Sequence, residues 1–438
     1  MADSCDVLVV GAGPAGLAAA HAAAAGGASV LLVDDNPLAG GQIWRGGPAQ
    51  QADTRAPALW QALQDAPNVR LLAGTRVLYA PMLALGQMRV QTPTAAHTVQ
   101  FRRLVLATGA RERLLPFPGW TLPGVTGAGG LQALVKGGYP VAGKRVVVAG
   151  SGPLLLAAAA TLKAHGAQLV AIVEQAPLPS LARFALALAA TPSKAAQALQ
   201  LAAQLRGVPR LYGSYIRSAH GVEALQSVQV VQNSRGSNSN SNSSSTTLAC
   251  DYLACGYGLI PNLELAQALG CATVLQNAQT VVRTDDWQQT SVENVYCAGE
   301  ATGIGGVDLA LAEGTIAGLA ASALLPLSLA TASPPLQQAL RQRRRWQAFA
   351  ARLARAFALR AELSVLAADD TIVCRCEDVC HGQLRNQPNW RSAKLHTRCG
   401  MGPCQGRICG GATELLYGWR PDAVRMPIAP ARVDTLTG

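Results

Sequence analysis

Histidine is scarce in this chain, and fixed charge is thin. The six histidines, His21, His97, His165, His220, His381 and His396, are scattered along 438 residues, with no two at ligand spacing. A histidine-built metal-hydrolase site is therefore not expected. No Ser-His-Asp arrangement and no dedicated amine-binding constellation stands out either. Charged residues make up 14% of the chain, and the net charge is +11. Part of the excess is local: RQRRRWQAFAARLARAFALR, residues 341–360, holds seven arginines and no acid. Nothing ties those arginines to a nucleic-acid fold, so nucleic-acid binding is not expected. A helix docked on a partner and a solvated amphipathic connector both remain open for that stretch. The first residues, MADSCDVLVV, lack a basic n-region and a cleavage site. No secretory signal is expected, which points to a reducing cytoplasm where clustered cysteines mean metal or redox chemistry. Strongly apolar runs of membrane-spanning length are also missing. Val7–Val33 and Gly314–Pro334 carry no charge, but they are rich in Gly and Ala, and Pro326 interrupts the second. Both are read as core, without a transmembrane segment.

What is present begins at residue 5, in CDVLVVGAGPAGLAAAHAAAAGGASVLLVDD. A short apolar strand meets Gly11, Gly13 and Gly16. An Ala-rich helix opening at Pro14 and Ala15 follows, then a second strand ending at Asp34 and Asp35. This is a complete GxGxxG inside a βαβ unit. Gly11 permits the tight turn, Gly13 lets the backbone approach a pyrophosphate, and Gly16 lets helix and strand pack closely. The helix N-terminus offers free N–H groups to the phosphates. Asp34 follows Gly13 by 21 residues, where an acid can bind a ribose hydroxyl.

Three later segments add to this: GGQIWR with Gly41 and Gln42, LVLATGA with Ala107, Thr108 and Gly109, and VYCAGEATGIGG with Gly299 and Glu300. Together with the βαβ they resemble the flavoprotein disulfide reductase superfamily, which has two dinucleotide-binding domains. The resemblance implies an α/β fold of glutathione-reductase-like Rossmann domains with FAD in the first. It also implies that the ATG segment lines the flavin site and that Glu300, commonly Asp, contacts the ribityl chain. A second βαβ spans residues 144–175, with Gly150, Gly152 and a terminal Glu174. Its third glycine is replaced by Leu155, which should push helix and strand apart. A nucleotide there, NAD or ATP, and a purely structural domain are both open. The CxxC of disulfide reductases is missing from this region. Cys250 and Cys255 form its close pair and read as small core residues. Residues 232–247, QNSRGSNSNSNSSSTT, contain no large apolar side chain and are expected to be a disordered hairpin tip.

The cysteines concentrate at the other end. Cys374 and Cys376 form CxC, and after 27 intervening residues Cys404 and Cys409 bracket four residues. Two tight pairs at this separation suggest a four-thiolate site, and both zinc and [2Fe–2S] accept four cysteines. The string TRCGMGPCQGRIC resembles the BFD-like [2Fe–2S] domain. That likeness implies Cys374, Cys376, Cys404 and Cys409 as ligands. Cys399 stands as the substitute if the register differs, and Cys380 as a packed thiol.

Taken together, GGQIWR, the degenerate second domain and CRCE…TRCGMGPCQGR resemble the α (A) subunits of heterotrimeric FAD-dependent amino-acid and opine dehydrogenases. These include opine oxidase, D-hydroxyproline dehydrogenase and hydrogen cyanide synthase. More distant kin are the α subunits of dye-linked proline dehydrogenase and sarcosine oxidase. The resemblance implies a partner β subunit with its own FAD that oxidises an amino acid or opine, and a small [2Fe–2S] ferredoxin-like subunit. FMN at a subunit interface and peripheral contact with the inner membrane through the acceptor stay open. The expected domains are 1–125 with 285–330 for FAD, 126–284 for the second dinucleotide domain, 331–368 for a basic helical linker, and 369–438 for the BFD-like module. A stand-alone NAD(P)H-dependent reductase is the alternative.

Overall fold

The computed structural model describes residues 3–80, 83, 86–233, 243–323, 333–420 and 424–437. The chain divides into two compact units. The first comprises Met1–Arg111, Ile260–Ala351 and Ala423–Gly438; the second comprises Glu112–Leu259 and Arg352–Asp422.

In the first unit, the strand Asp3–Val10 pairs in parallel with Val30–Val33 on one side and Ala96–Leu106 on the other. Val69–Leu72 and Val295–Cys297 extend the parallel part, and Arg76–Tyr79 and Gln87–Gln91 complete the sheet as an antiparallel meander. The continuous apolar run of the first strand follows from burial on both faces. Val7 and Val9 join one core, and Leu8 and Val10 join the other. Burying each such side chain stabilises the unit by about 1.5–3 kcal/mol.

The helix Pro14–Ala25 packs along Val307–Ser322, and small residues make that approach possible. A β-carbon on Gly314 would collide with the Ala15 carbonyl, and one on Gly318 with that of Ala19. Residues 314–322 of the uncharged stretch Gly314–Pro334 thus belong to a helix buried in the unit. No described helix is long and apolar enough to cross a membrane.

Of the basic stretch 341–360, residues 341–356 lie in the helix Pro334–Ala356, and 357–360 continue without helix. Leu336, Ala339, Leu340, Arg343, Trp346, Phe349 and Ala350 are buried at helical spacing, so this is an amphipathic helix with a packed face. Leu336, Ala339 and Leu340 cluster with Ile316. Arg343 is buried too. It donates to the Asp286 carboxylate at 2.7 Å and to the Asp286 carbonyl at 2.8 Å.

The second unit repeats the plan. A parallel sheet runs in the order Arg210–Tyr212, Gln168–Glu174, Arg145–Gly150, Tyr252–Gly256, Val125–Gly127. A three-stranded antiparallel sheet, Ser214–Gly221, Leu225–Asn233 and Ser243–Ala249, accompanies it. The strands correct the expectation of disorder at its two ends, residues 232–233 and 243–247. Thr247 pairs with Gln229 and Ser245 with Val231. A ladder is held by backbone hydrogen bonds, so a polar strand can extend along one whose Val228 and Val230 are already buried. Residues 234–242 lie outside the described residues.

The cysteine module folds within this unit around its own small core of Val373, Cys374, Val379, Leu384, Trp390, Cys399 and Cys409. Asn389 caps the helix Trp390–Thr397 by accepting from the Ser392 amide at 2.9 Å. Trp120 ties the module to the dinucleotide domain. Its indole N–H donates to the Ile372 carbonyl at 2.6 Å, and Arg375 lies over its ring at 4.8 Å. Ala423–Gly438, expected with this module, clusters with the first unit instead.

Candidate functional site

The predicted dinucleotide residues of the first unit converge at the carboxyl ends of its parallel strands. Gly11, at φ +102°, passes so close to Ala107 that any β-carbon would strike the Ala107 carbonyl. A β-carbon on Gly16 would strike the Gly11 carbonyl in turn. Gly13 precedes the helix with extended geometry, and Pro14 takes the first helical position. Gly41 lies across from Gly13, where a β-carbon on Gly41 would come within 3.0 Å of the Gly13 Cα. The Gly40 amide donates to the Ala12 carbonyl at 2.7 Å. Gln42 accepts from Arg45. Gly299, at φ +81°, abuts Ala15. These residues make a cradle of bare backbone at a helix N-terminus, and it fits a dinucleotide pyrophosphate.

Asp34 is buried beneath that loop. Its carboxylate accepts from the Ala12 amide at 2.6 Å and from the Asn36 amide at 2.8 Å, so it holds the loop's shape. Asp35 is exposed and accepts from Asn36 Nδ2 at 3.2 Å. Thr108 and Gly109 are clamped by a residue the sequence did not flag, Asn262. The Thr108 hydroxyl donates to the Asn262 carbonyl at 2.7 Å, Asn262 Nδ2 returns a bond to the Thr108 carbonyl at 2.9 Å, and the Asn262 amide reaches Gly109.

Glu300 accepts from the amides of Gly305 at 3.3 Å and Gly306 at 2.8 Å, just before the helix Val307–Ser322. Burial raises its carboxyl to about 7. A second buried acid, Glu313, accepts from the Gly299 amide at 2.9 Å and the Thr302 hydroxyl at 2.6 Å, and burial lifts it to about 7 as well. Sequence reading missed Glu313. The available signal was an acid inside an otherwise uncharged run, LALAEGTIAG.

The second glycine loop differs from the first. Gly150 is again jammed against a neighbouring backbone, at Gly256. Gly152, however, sits at φ +100° where Gly13 has −75°. Leu155 is accommodated in the core beside Val146 and Val148, so helix and strand still pack. Glu174 accepts from the Gly152 amide at 2.8 Å, matching Asp34 under the first loop, and burial raises its carboxyl to about 7. Cys250 and Cys255 are buried, and desolvation pushes both thiols up to about 12, which suits packing and not thiol exchange.

In the module, the sulfurs of Cys374, Cys399 and Cys409 lie within 4.8 Å of one another, all buried. Cys376, exposed, and Cys404, half-buried, neighbour each other. Of the four predicted ligands, Cys374 and Cys409 therefore meet in the buried trio, and its third sulfur is that of Cys399, the substitute the sequence offered. Cys380 stands apart, opening the short helix His381–Leu384. Thiol donors from Cys399 and Cys409, with the amides of Gly400 and Glu377, pull Cys374 down to about 2, and its partners are pushed up in turn. Glycine makes this turn possible. A β-carbon on Gly402 would strike Cys376, and one on Gly400, at φ +80°, would meet the Trp390 ring. Three buried sulfurs with backbone amides on Cys374, and two further thiols at the edge, supply the donors that a four-thiolate group needs.

Residues 5–314 match the family described as pyridine nucleotide-disulphide oxidoreductase. The opine oxidase A subunit of Agrobacterium tumefaciens (strain Ach5) is 31% identical over 99% of this chain and 89% of its own length. Hydrogen cyanide synthase subunit HcnB of Pseudomonas protegens is 32% identical over 93% of this chain and 91% of its own. Among solved structures, L-proline dehydrogenase from P. horikoshii shares the fold over 99% of this chain and 80% of that one, with TM-score 0.67 and 18% identity. The chain belongs to the pyridine nucleotide-disulphide oxidoreductase family and, within it, to the group of hydrogen cyanide synthase subunit HcnB and the opine oxidase A subunit.

Proposed function

We propose that this chain is the electron-transfer subunit of a multi-subunit flavin dehydrogenase that oxidises an amino acid or opine. The carrying observation is the pairing, in one chain, of a complete glycine cradle with a buried trio of cysteine sulfurs that Cys376 and Cys404 adjoin. Nearly end-to-end likeness to proteins named as oxidase and synthase subunits supports the same reading. FAD, when bound, converts between two-electron and one-electron transfer, and a [2Fe–2S] group accepts single electrons.

The residues have distinct tasks in this reading. Gly11, Gly13 and Gly16 let backbone approach the pyrophosphate of FAD. Asp34 keeps the loop rigid from below. Asn262 holds the ATG segment, and Glu300 lies beside the cradle through Gly299. Cys374 and Cys376 with Cys404 and Cys409 are the ligands, and Cys399 is an adjacent thiol that hydrogen-bonds Cys374. Removal of hydride from the carbon that bears the substrate's amine nitrogen, which leaves an imine, belongs to a partner subunit with its own FAD, and a small ferredoxin-like subunit completes the complex.

An anaerobic titration tests this. Purified chain, alone and with its neighbouring subunits, receives NADH, then D-hydroxyproline, octopine or glycine, while flavin absorbance, EPR and iron are followed. Reduction by an amino acid only with partners present, with about two irons per chain, is expected. Rapid reduction of the isolated chain by NADH would establish a stand-alone reductase instead.

A further inference from the structure

We propose that the second glycine-rich groove takes no nicotinamide or adenine nucleotide because the chain's own segment Phe357–Arg360 is laid across it. The two grooves of this protein provide an internal comparison. In the first, a β-carbon at Gly13 would find Gly41 Cα at 3.9 Å, an atom of the same cradle. In the second, a β-carbon at Gly152 would find the Phe357 ring at 4.0 Å, an equally loose approach but to a segment from far along the chain. The hydrogen bonds of that segment, more than the ring, distinguish the two grooves.

The segment is anchored at both parts of the groove. At the loop, the Ser151 hydroxyl donates to the Phe357 carbonyl at 3.0 Å. At the end of the next strand, where a ribose would lie, Gln175 grips the segment twice. Its Nε2 donates to the Ala358 carbonyl at 3.0 Å, and its Oε1 accepts from the Arg360 amide at 3.1 Å. Gln175 Nε2 also donates to the Ser151 hydroxyl at 2.9 Å, which joins the two anchors. Arg360 finishes the strap by donating to the Gly213 carbonyl at 2.9 Å.

Burial follows the same division. Gln175 is fully buried, whereas Asp35, its counterpart after the acid of the first groove, is exposed. The chemistry is also wrong for phosphate. A carbonyl oxygen stands over the loop where an anion needs donors, and the Ser151 hydroxyl is turned toward that carbonyl. Residues 357–360 therefore decide which redox partners this protein accepts: electrons do not enter from a nicotinamide through the second groove.

Equilibrium dialysis of the full chain with NADH and with ADP tests this without reference to catalysis. Binding at the second groove is taken as the part lost on Glu174→Ala. Wild type should show none tighter than about 1 mM. Phe357→Gly combined with Arg360→Ala should tighten it at least about tenfold, a change of 1.4 kcal/mol. Gln175→Ala cuts the two central anchors while leaving the apolar contacts, and serves if the double variant does not fold. Micromolar, Glu174-dependent uptake by wild type would overturn the proposal. So would a folded variant that still takes up no nucleotide, because the strap would then not be what closes the groove. Failure of the electron-transfer reading would leave these binding results unchanged.

Discussion

Single residues set the electrostatics of the first glycine cradle. Glu313 is 2% exposed, and its carboxyl rises from 4.5 to about 7 because burial disfavours the ion. A raised carboxyl contributes its full stability below the unfolded value and loses it as pH climbs through the folded one. The window here runs from 4.5 to about 7. We expect Glu313→Gln, whose amide oxygen can still accept from Gly299 and Thr302, to match wild type at acid pH. At alkaline pH it should be more stable by up to about 3 kcal/mol. Thermal melts of the flavin-free protein across that range check it, and equal melts throughout would mean that Glu313 is not held neutral. The glycines and Asp34 were legible from spacing alone, since GxGxxG followed by an acid is a local pattern. Glu313 and Asn262 were not, because their partners Gly299 and Thr108 are neighbours only after the strands assemble.

At the scale of elements, the first unit relies on two helix contacts. The pair Pro14–Ala25 and Val307–Ser322 closes on glycine. Gly314→Ala, which drives a β-carbon into the Ala15 carbonyl, should cost about 2–4 kcal/mol and lower the denaturant midpoint. The basic helix Pro334–Ala356 makes the second contact. Arg343→Ala removes a buried guanidinium from Asp286 and Gln288 and should cost about 2–3 kcal/mol. Arg344→Glu, on the exposed face, should stay within about 0.5 kcal/mol. Equal losses for the two arginines in urea unfolding would contradict the packed face. Sequence alone recognised the basic helix but left its role open. Its helical periodicity was present, yet which arginine turned inward depended on an acid at residue 286.

At the scale of the whole molecule, the cysteine module is where composition and geometry combine. Serine at Cys374, Cys376, Cys404 or Cys409 should abolish the roughly two irons per chain expected of a [2Fe–2S] group and bleach its visible absorption. Cys399→Ser and Cys380→Ser should retain the iron. Loss of iron in Cys399→Ser, with retention in Cys376→Ser, would move the ligand set onto the buried trio of Cys374, Cys399 and Cys409. One bound zinc in place of iron would replace the redox reading with a structural one.

The sequence by itself determined the parallel strands, both glycine loops and the crowding of thiols near the C-terminus. Each is a short-range pattern whose physical meaning is local: period, turn and ligand spacing. Tertiary structure alone decided three other matters. It turned Arg343 inward, brought Cys399 beside Cys374 and Cys409, and laid Phe357 over a loop 206 residues earlier in the chain. No local propensity encodes contacts of that separation. They arise only when the sheets and helices have assembled, because a buried polar group must then find its partner among whatever backbone and side chains the packing brings within reach.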